Sequence, residues 1–250
     1  MALNTDKNSY TVIFSVMMVV VVGALLAFAA SALKGNIKDN KRTEKQQNIL
    51  FAMGVTDEND PNEFVPAAKA DTLFKQYVGE NQYIVTGSTA QKTIKAFDID
   101  VKKENDKLKN DPSYERKMPL FVGEKDGKKY YIVPMRGNGL WDAIWGYISL
   151  GSDFKYISGA FFDHKGETPG LGANITEAYF EQDFIGESIL DENGNYVGVE
   201  VKKGNADPKN TRKDDNAVDA LAGATITGNG VTAMVKKGIK MYMPYFETLK

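Results

Sequence analysis

The sequence predicts an α+β chain. A single N-terminal transmembrane helix is followed by one soluble domain of antiparallel sheet with peripheral helices. Three observations carry this prediction. Thr11 to Leu33 contains no charged residue, and about 20 apolar residues in a helix span a bilayer core. Short apolar runs then alternate with Gly, Asp and Asn turn signals, as in a meander of strands. Finally, apolar residues recur at helical spacing in segments that flank the strands. The implied organisation is a short tail at 1–10, a transmembrane helix at 11–33, a helical linker at 34–54 and a soluble domain at 55–250.

The apolar run has two competing readings. Ala30-Ser31-Ala32 resembles a signal-peptidase site, but the run exceeds the usual h-region of about 7–15 residues. A buried globular helix would show a polar face, and this run is apolar all round. Lys34, Lys38, Lys41, Arg42 and Lys45 follow it, against Asp39 and Glu44. By the positive-inside rule that bias places the large C-terminal part in the cytoplasm. The span itself holds no ionisable residue, which argues against ion conduction through it.

Asn36 to Met53 reads as a helix ending near Gly54, and 57–62 as a loop. Pro66 to Val78 reads as a helix, with Ala67, Ala70, Leu73, Phe74 and Tyr77 on its apolar stripe. Tyr83–Val85 reads as a strand, and so does Ala96–Val101, where apolar and acidic residues alternate. Lys102–Lys117 is charged enough for a solvated loop or helix face. Leu120–Val122 and Lys129–Pro134 flank Asp126-Gly127, a hairpin signal. Gly159–Asp163 and Tyr196–Val201 are further strands, the second entered through the turn Asp191-Glu192-Asn193-Gly194. Ala206–Asp215 is polar and expected at the surface. Gly230–Met243 closes the chain as a helix, with Val231, Met234, Val235, Ile239 and Tyr242 at helical spacing.

Composition excludes several functions. The 31 basic and 33 acidic residues leave a formal charge of -2, which is no footprint for nucleic acid. Cysteine is absent, which removes disulfides, thiolate-bound iron–sulfur clusters and a cysteine nucleophile. One histidine, His164, cannot build a multi-histidine metal site.

Three segments carry chemical information. Asp219-Ala-Leu-Ala-Gly223-Ala224-Thr225-Ile-Thr227-Gly-Asn-Gly230 is a small-residue loop before a helix. It lets a ligand approach the backbone, and free N–H groups at a helix start attract anions. Thr227 or Asn229 could equally be a plain N-cap. Arg136-Gly-Asn-Gly139-Leu140-Trp141-Asp-Ala-Ile-Trp145 follows a strand. Its tryptophans would share a face in a helix, as core or as a cofactor wall, and Arg136 is a candidate to neutralise a phosphate. His164-Lys-Gly166-Glu167-Thr168-Pro169-Gly170-Leu171-Gly172 holds a Pro-Gly turn that presents Leu171 on a stiff tip. His164 and Glu167 are candidate acid and base, or a structural hydrogen-bonding pair.

Together these motifs, their order and the N-terminal span resemble a covalent-FMN-binding family, that of the C subunit of the bacterial Na⁺-translocating NADH:quinone oxidoreductase. Asp219 to Thr225 matches the family's Asp-x-x-(Ser/Thr)-Gly-Ala-Thr motif, with Ala222 at the Ser/Thr position. Gly166 lengthens the familiar His-x-Glu-Thr-Pro spacing by one residue. The resemblance implies FMN joined through its phosphate to Thr225, with Thr227 the lesser choice. Gly223 and Ala224 would then leave room for the phosphate, and Asp219, which opens the motif, is a further cofactor-binding candidate. Leu140, Trp141, Glu167, Thr168, Gly170, Leu171 and Gly172 would then surround the ring. It further implies an electron relay among other membrane and cytoplasmic subunits, matured by a flavin transferase. The family sits in the bacterial inner membrane with its flavin domain on the periplasmic side, against the charge bias. The related Rnf electron-transfer complex shares the flavin motif. A non-flavinylated membrane adaptor and an FMN-dependent hydrolase using His164 and Glu167 are the other readings.

Overall fold

The computed structural model describes residues 7–207 and 209–250, so most of the expected tail at 1–10 lies outside the described residues. Two compact units emerge, one ending at Lys45 and the other running from Gln46 to Lys250. In the first, helix α1 (Asn8–Ala32) buries no side chain. It is long and apolar enough to cross a membrane. Helix α2 (Lys34–Ala52) begins in this unit and ends in the second, where Gln46, Asn48, Ile49, Leu50 and Ala52 are buried. The compact domain therefore starts inside the helical linker and not at the expected 54/55 boundary.

The domain is organised by a six-stranded antiparallel sheet in the order β2-β1-β3-β4-β5-β6. Its strands are β1 (Gln82–Thr86), β2 (Thr89–Lys92), β3 (Met118–Lys125), β4 (Lys128–Asn138), β5 (Ala143–Leu150) and β6 (Ile157–His164). The Asp126-Gly127 hairpin forms as expected, pairing Phe121 with Ile132 and Lys125 with Lys128. Side chains alternate across the sheet, and here both faces are covered. Leu120, Val133, Ile148 and Phe162 join one core cluster. Their neighbours Phe121, Ile132, Tyr147 and Phe161 join the other. Burial on both faces is why these strands read as continuous apolar runs instead of clean alternation.

The second cluster is closed by the end of α2 and by α3 (Ala67–Tyr77), through Ile49, Leu50, Ala70 and Phe74. The first is closed by α5 (Ala178–Asp183) and α6 (Thr225–Lys240), which contributes Val231, Met234, Val235 and Ile239. Beyond α6, α7 (Met243–Phe246) ties the C-terminus to the sheet: the buried Tyr242 hydroxyl donates to the Pro119 carbonyl at 2.8 Å.

Four expectations need correction. Ala96–Val101 is not a strand. Ile94–Asp98 is a 3₁₀ turn, and α4 (Val101–Asn110) follows it. Side chains override the alternation: Thr93 accepts from the Lys95 N–H, and Asp100 caps α4 by accepting from Lys102 and Lys103. Between 196 and 201 only β7 (Glu200–Lys202) is reached, paired in parallel with β8 (Ala217–Asp219). Gly198, at φ 70, bends the chain before it. Residues 206–215 are not uniformly exposed, since Asp207 and Asn210 are buried. The Asp207 carboxylate accepts from Thr211 and Arg212 and organises its own loop. Trp141 lies in the turn before β5 and Trp145 within that strand, so the two rings share no helical face.

Glu181 on α5 is buried and accepts from the Phe162 N–H at 2.7 Å. Burial pushes its carboxyl from the ordinary 4.5 up to about 8. Between those values the native chain keeps a proton that the unfolded chain has lost, so stability falls as pH rises from about 4.5 to about 8. In urea melts across this range, Glu181→Gln flattens that slope and gains on the wild type at the alkaline end.

Candidate functional site

The three motifs meet at one end of the sheet, around a cavity of about 250 Å³. The first is the loop that leaves β4. Its turn is closed by the Gly139 N–H donating to the Asp142 carbonyl at 2.8 Å. This leaves Leu140 and Trp141 on the surface, Trp141 at 68% exposure. The second is the loop after β6. Pro169-Gly170 turns with Gly170 at φ 75, and the Leu171 N–H returns to the Thr168 carbonyl at 3.1 Å. Leu171 is left 42% exposed at the tip. The third is the start of α6. The helix begins at Thr225, well before the expected Gly230, and Ala224 at its N-cap offers no side-chain acceptor. The first N–H groups of α6 are therefore free of intrahelical partners and point positive charge outward.

Glu167 joins the three. It is only 4% exposed. Its carboxylate accepts from the Trp141 N–H at 2.9 Å and from the Thr227 hydroxyl at 2.5 Å. Burial opposes its ionisation, yet the Thr227 hydroxyl and the Trp141, Leu140 and Asp142 N–H groups outweigh burial and hold the carboxyl below its ordinary value. Space for this carboxylate exists only because two neighbours are glycine. A Cβ on Gly139 would lie 2.5 Å from one oxygen, and a Cβ on Gly172 would lie 2.6 Å from the other. A further link runs along the rim, where the Trp141 indole N–H donates to the Thr168 hydroxyl at 3.2 Å.

These contacts separate the two threonines. Thr225 is exposed on the first turn of α6, whereas Thr227 is buried and committed to Glu167. Thr227 is thus neither an N-cap nor an accessible acceptor. Asn229 lies inside the helix and is no cap either. His164 and Glu167 do not form an acid–base pair. The Glu167 backbone N–H donates to His164 Nδ1 at 3.1 Å, and the Glu167 carboxylate faces the other way.

Of the sequence-derived site residues, Leu140, Glu167, Thr168, Leu171 and Gly172 line the cavity on one side. Gly223, Ala224, Thr225 and Thr227 line it on the other. Trp141 and Gly170 stand at its margin, outside the lining. Asp219 ends β8, in register with Lys202, and does not reach the cavity. Arg136 points elsewhere, its guanidinium 5.7 Å from the Trp145 ring centre. The residue that sequence reasoning missed is Ile226, 57% exposed and part of the lining. An apolar side chain turned outward in a first helical turn leaves no signal in sequence.

Replacing Glu167 with Ala strands the Thr227 hydroxyl and the loop N–H groups. At about 1–3 kcal/mol for each buried unsatisfied donor, urea unfolding should show a loss of about 3 kcal/mol. A carboxyl held below its ordinary value stabilises the fold above that value and loses its contribution on acidification. The wild type should therefore lose stability steeply below about pH 4, and Glu167→Gln should lose less.

Comparison with known proteins identifies the family. A model of the FMN-binding domain family matches residues 139–240, which contain all three motifs. The C subunit of the Na⁺-translocating NADH-quinone reductase from Neisseria meningitidis serogroup B is 31% identical over 100% of this chain and 98% of its own length. The Pseudomonas aeruginosa counterpart is 28% identical over 91% of this chain and 90% of its own. The crystal structure of the Parabacteroides distasonis counterpart superposes with a TM-score of 0.71 at 32% identity, covering 86% of this chain and 96% of that one. The chain belongs to the family formed by the C subunits of Na⁺-translocating NADH-quinone reductases.

Proposed function

We propose that the chain carries FMN esterified through its phosphate to Thr225 and relays electrons between redox centres of neighbouring subunits. It is an electron-transfer flavin subunit of a sodium-translocating NADH-quinone reductase, with no turnover of its own. The observation that carries the covalent assignment is the contrast between the exposed Thr225 hydroxyl and the buried, committed Thr227 hydroxyl.

The residues present fit the group. A phosphodiester on Thr225 keeps one negative charge, and the unpartnered N–H groups of the first turn of α6 receive it. Glu167 takes its hydrogen bonds from Thr227 and the loop, so it does not compete for those groups. Leu140, Leu171 and Ile226 offer exposed apolar surface around the cavity mouth, and Trp141 adds to it. When bound, FMN supplies a redox centre able to pass electrons singly. The chain's own task is to tether it, orient it and tune its surroundings. Attachment by a flavin transferase from FAD balances simply: Thr225 Oγ loses its proton and bonds to the FMN phosphorus, the diphosphate bond breaks, and AMP departs.

Co-expression with a flavin transferase, then denaturing electrophoresis, tests the anchor. Wild type should fluoresce as a flavin-bearing band and Thr225→Ala should be dark. Thr227→Val should keep its flavin, in a less stable protein. A fluorescent Thr225→Ala band overturns the assignment. The tryptic peptide spanning residues 214–236 should carry the mass of FMN less one water.

The family resemblance supports a periplasmic flavin domain on a single inner-membrane span. An alkaline phosphatase fusion at Lys250 should be active, whereas an inactive, stably produced fusion would favour the charge bias of Lys34 to Lys45.

A further inference from the structure

A second and larger cavity, of about 590 Å³, opens between α4, β4 and α6. It shares no lining residue with the cavity at Thr225. Its size is that of a small-molecule site. One wall is apolar and adaptable, formed by Met135, Met234, Met241 and Leu108. Thioethers accommodate flat or irregular apolar bodies well. Every charged residue of the lining is cationic: Lys109, Arg116, Arg136, Lys237 and Lys240. No carboxylate lines it. For a chain with a formal charge of -2, this is a pronounced local excess.

No ion pair of the fold neutralises these charges. Among the described residues, none of the five forms an ion pair with a carboxylate. Three acids act on these cations through space, Asp106, Glu104 and Asp142, and each is bonded to another group, Asp142 to Lys165 at 2.7 Å. Asp106 pairs with Lys102 at 2.6 Å. Glu104 receives Lys107 Nζ, the Tyr114 hydroxyl and the Lys117 N–H. Arg136 rests over Trp145. Arg116 is partly buried and donates only to Asn105, and its Nε is buried with no acceptor. Solvated lysines alone would be unremarkable surface. Glu104 acts on Arg116 only through space, with no hydrogen bond or ion pair between them, and an arginine drawn out of water beside an apolar wall without a bonded carboxylate is costly unless an anion completes it.

We propose that this cavity binds a small amphipathic anion, a carboxylate or phosphate group on an apolar body. Arg116 and the flanking lysines pair the oxyanion, and Met135, Met234 and Leu108 receive the body. A neutral apolar molecule would leave the five cations without an ion-pairing partner. A bare inorganic anion would leave the methionine wall uncovered. Arginine suits carboxylate and phosphate alike, because its planar fork donates two parallel hydrogen bonds to either.

The methionines make the site directly observable. The full chain in non-ionic detergent, labelled with ¹³C at the methionine methyls, is titrated with 1-naphthoate, 1-naphthyl phosphate, 1-naphthalenemethanol or inorganic phosphate. Both naphthyl anions should shift the Met135, Met234 and Met241 resonances saturably. Met53 and Met118 should stay in place as reporters of the fold, and Met17 and Met18 as reporters of the micelle. Lys237 is exposed, so Lys237→Glu leaves the fold intact. It should weaken both naphthyl anions about tenfold, as expected for losing one charge-assisted contact. Arg116→Gln should weaken them at least as much. The proposal fails if naphthalenemethanol binds as tightly as naphthoate, which makes the site merely apolar. It fails if inorganic phosphate binds as tightly, which makes it merely cationic. It also fails if no anion shifts the three methionines, or if Lys237→Glu binds like wild type.

Discussion

The end of the molecule where the three motifs meet depends on one buried carboxylate. Glu167 lies 26 residues from Trp141 and 60 from Thr227, and hydrogen-bonds to both. Burying a carboxylate is expensive unless donors surround it. Here a hydroxyl and backbone N–H groups from two other segments meet that demand. The same bonds fix where each segment stands. The Gly139–Asp142 loop, the Thr168–Gly172 turn and the start of α6 therefore form a single rigid frame.

That arrangement divides the donors in a way that serves the chemistry. A carboxylate near a helix N-terminus would normally take the free N–H groups of the first turn. Glu167 instead takes a side-chain hydroxyl from the third residue of α6 and loop amides from elsewhere. The first-turn N–H groups stay available beside the exposed Thr225. Two negative groups can then share one helix end without competing for the same donors. The cost is steric, because a carboxylate packed this closely tolerates only glycine at 139 and 172.

The sheet supplies the rigidity behind the frame. With α6 over one face and the end of α2 and α3 over the other, β4 and β6 are fixed on both sides. The loops they launch inherit that fixed geometry. α6 serves two places at once: its first turn faces the Thr225 cavity, while its later turns, with Lys237 and Lys240, border the cationic one. A single helix packed on a stiff sheet thus couples two differently charged environments.

Much was legible in the sequence because local chemistry determines it. The uncharged run from Thr11 to Leu33 specifies a membrane-compatible helix. Asp126-Gly127 specifies a hairpin and Pro169-Gly170 a turn with Leu171 at its tip, whereas the 219–225 motif points to an attachment site only through its family resemblance. Ala96–Val101 departs from its alternation pattern because a side-chain cap at Asp100 outweighs it, and propensity carries no record of a cap's partner. Only the tertiary structure decided what Glu167, Thr227 and Arg136 do. Glu167 turned from acid–base candidate to buried keystone, Thr227 from rival acceptor to its partner, and Arg136 lines the other cavity instead of the one at Thr225. The physical reason is range. Periodicity and turn chemistry act over a few residues, whereas burial, and the hydrogen bonds it demands, is set by segments that meet only when the sheet has formed.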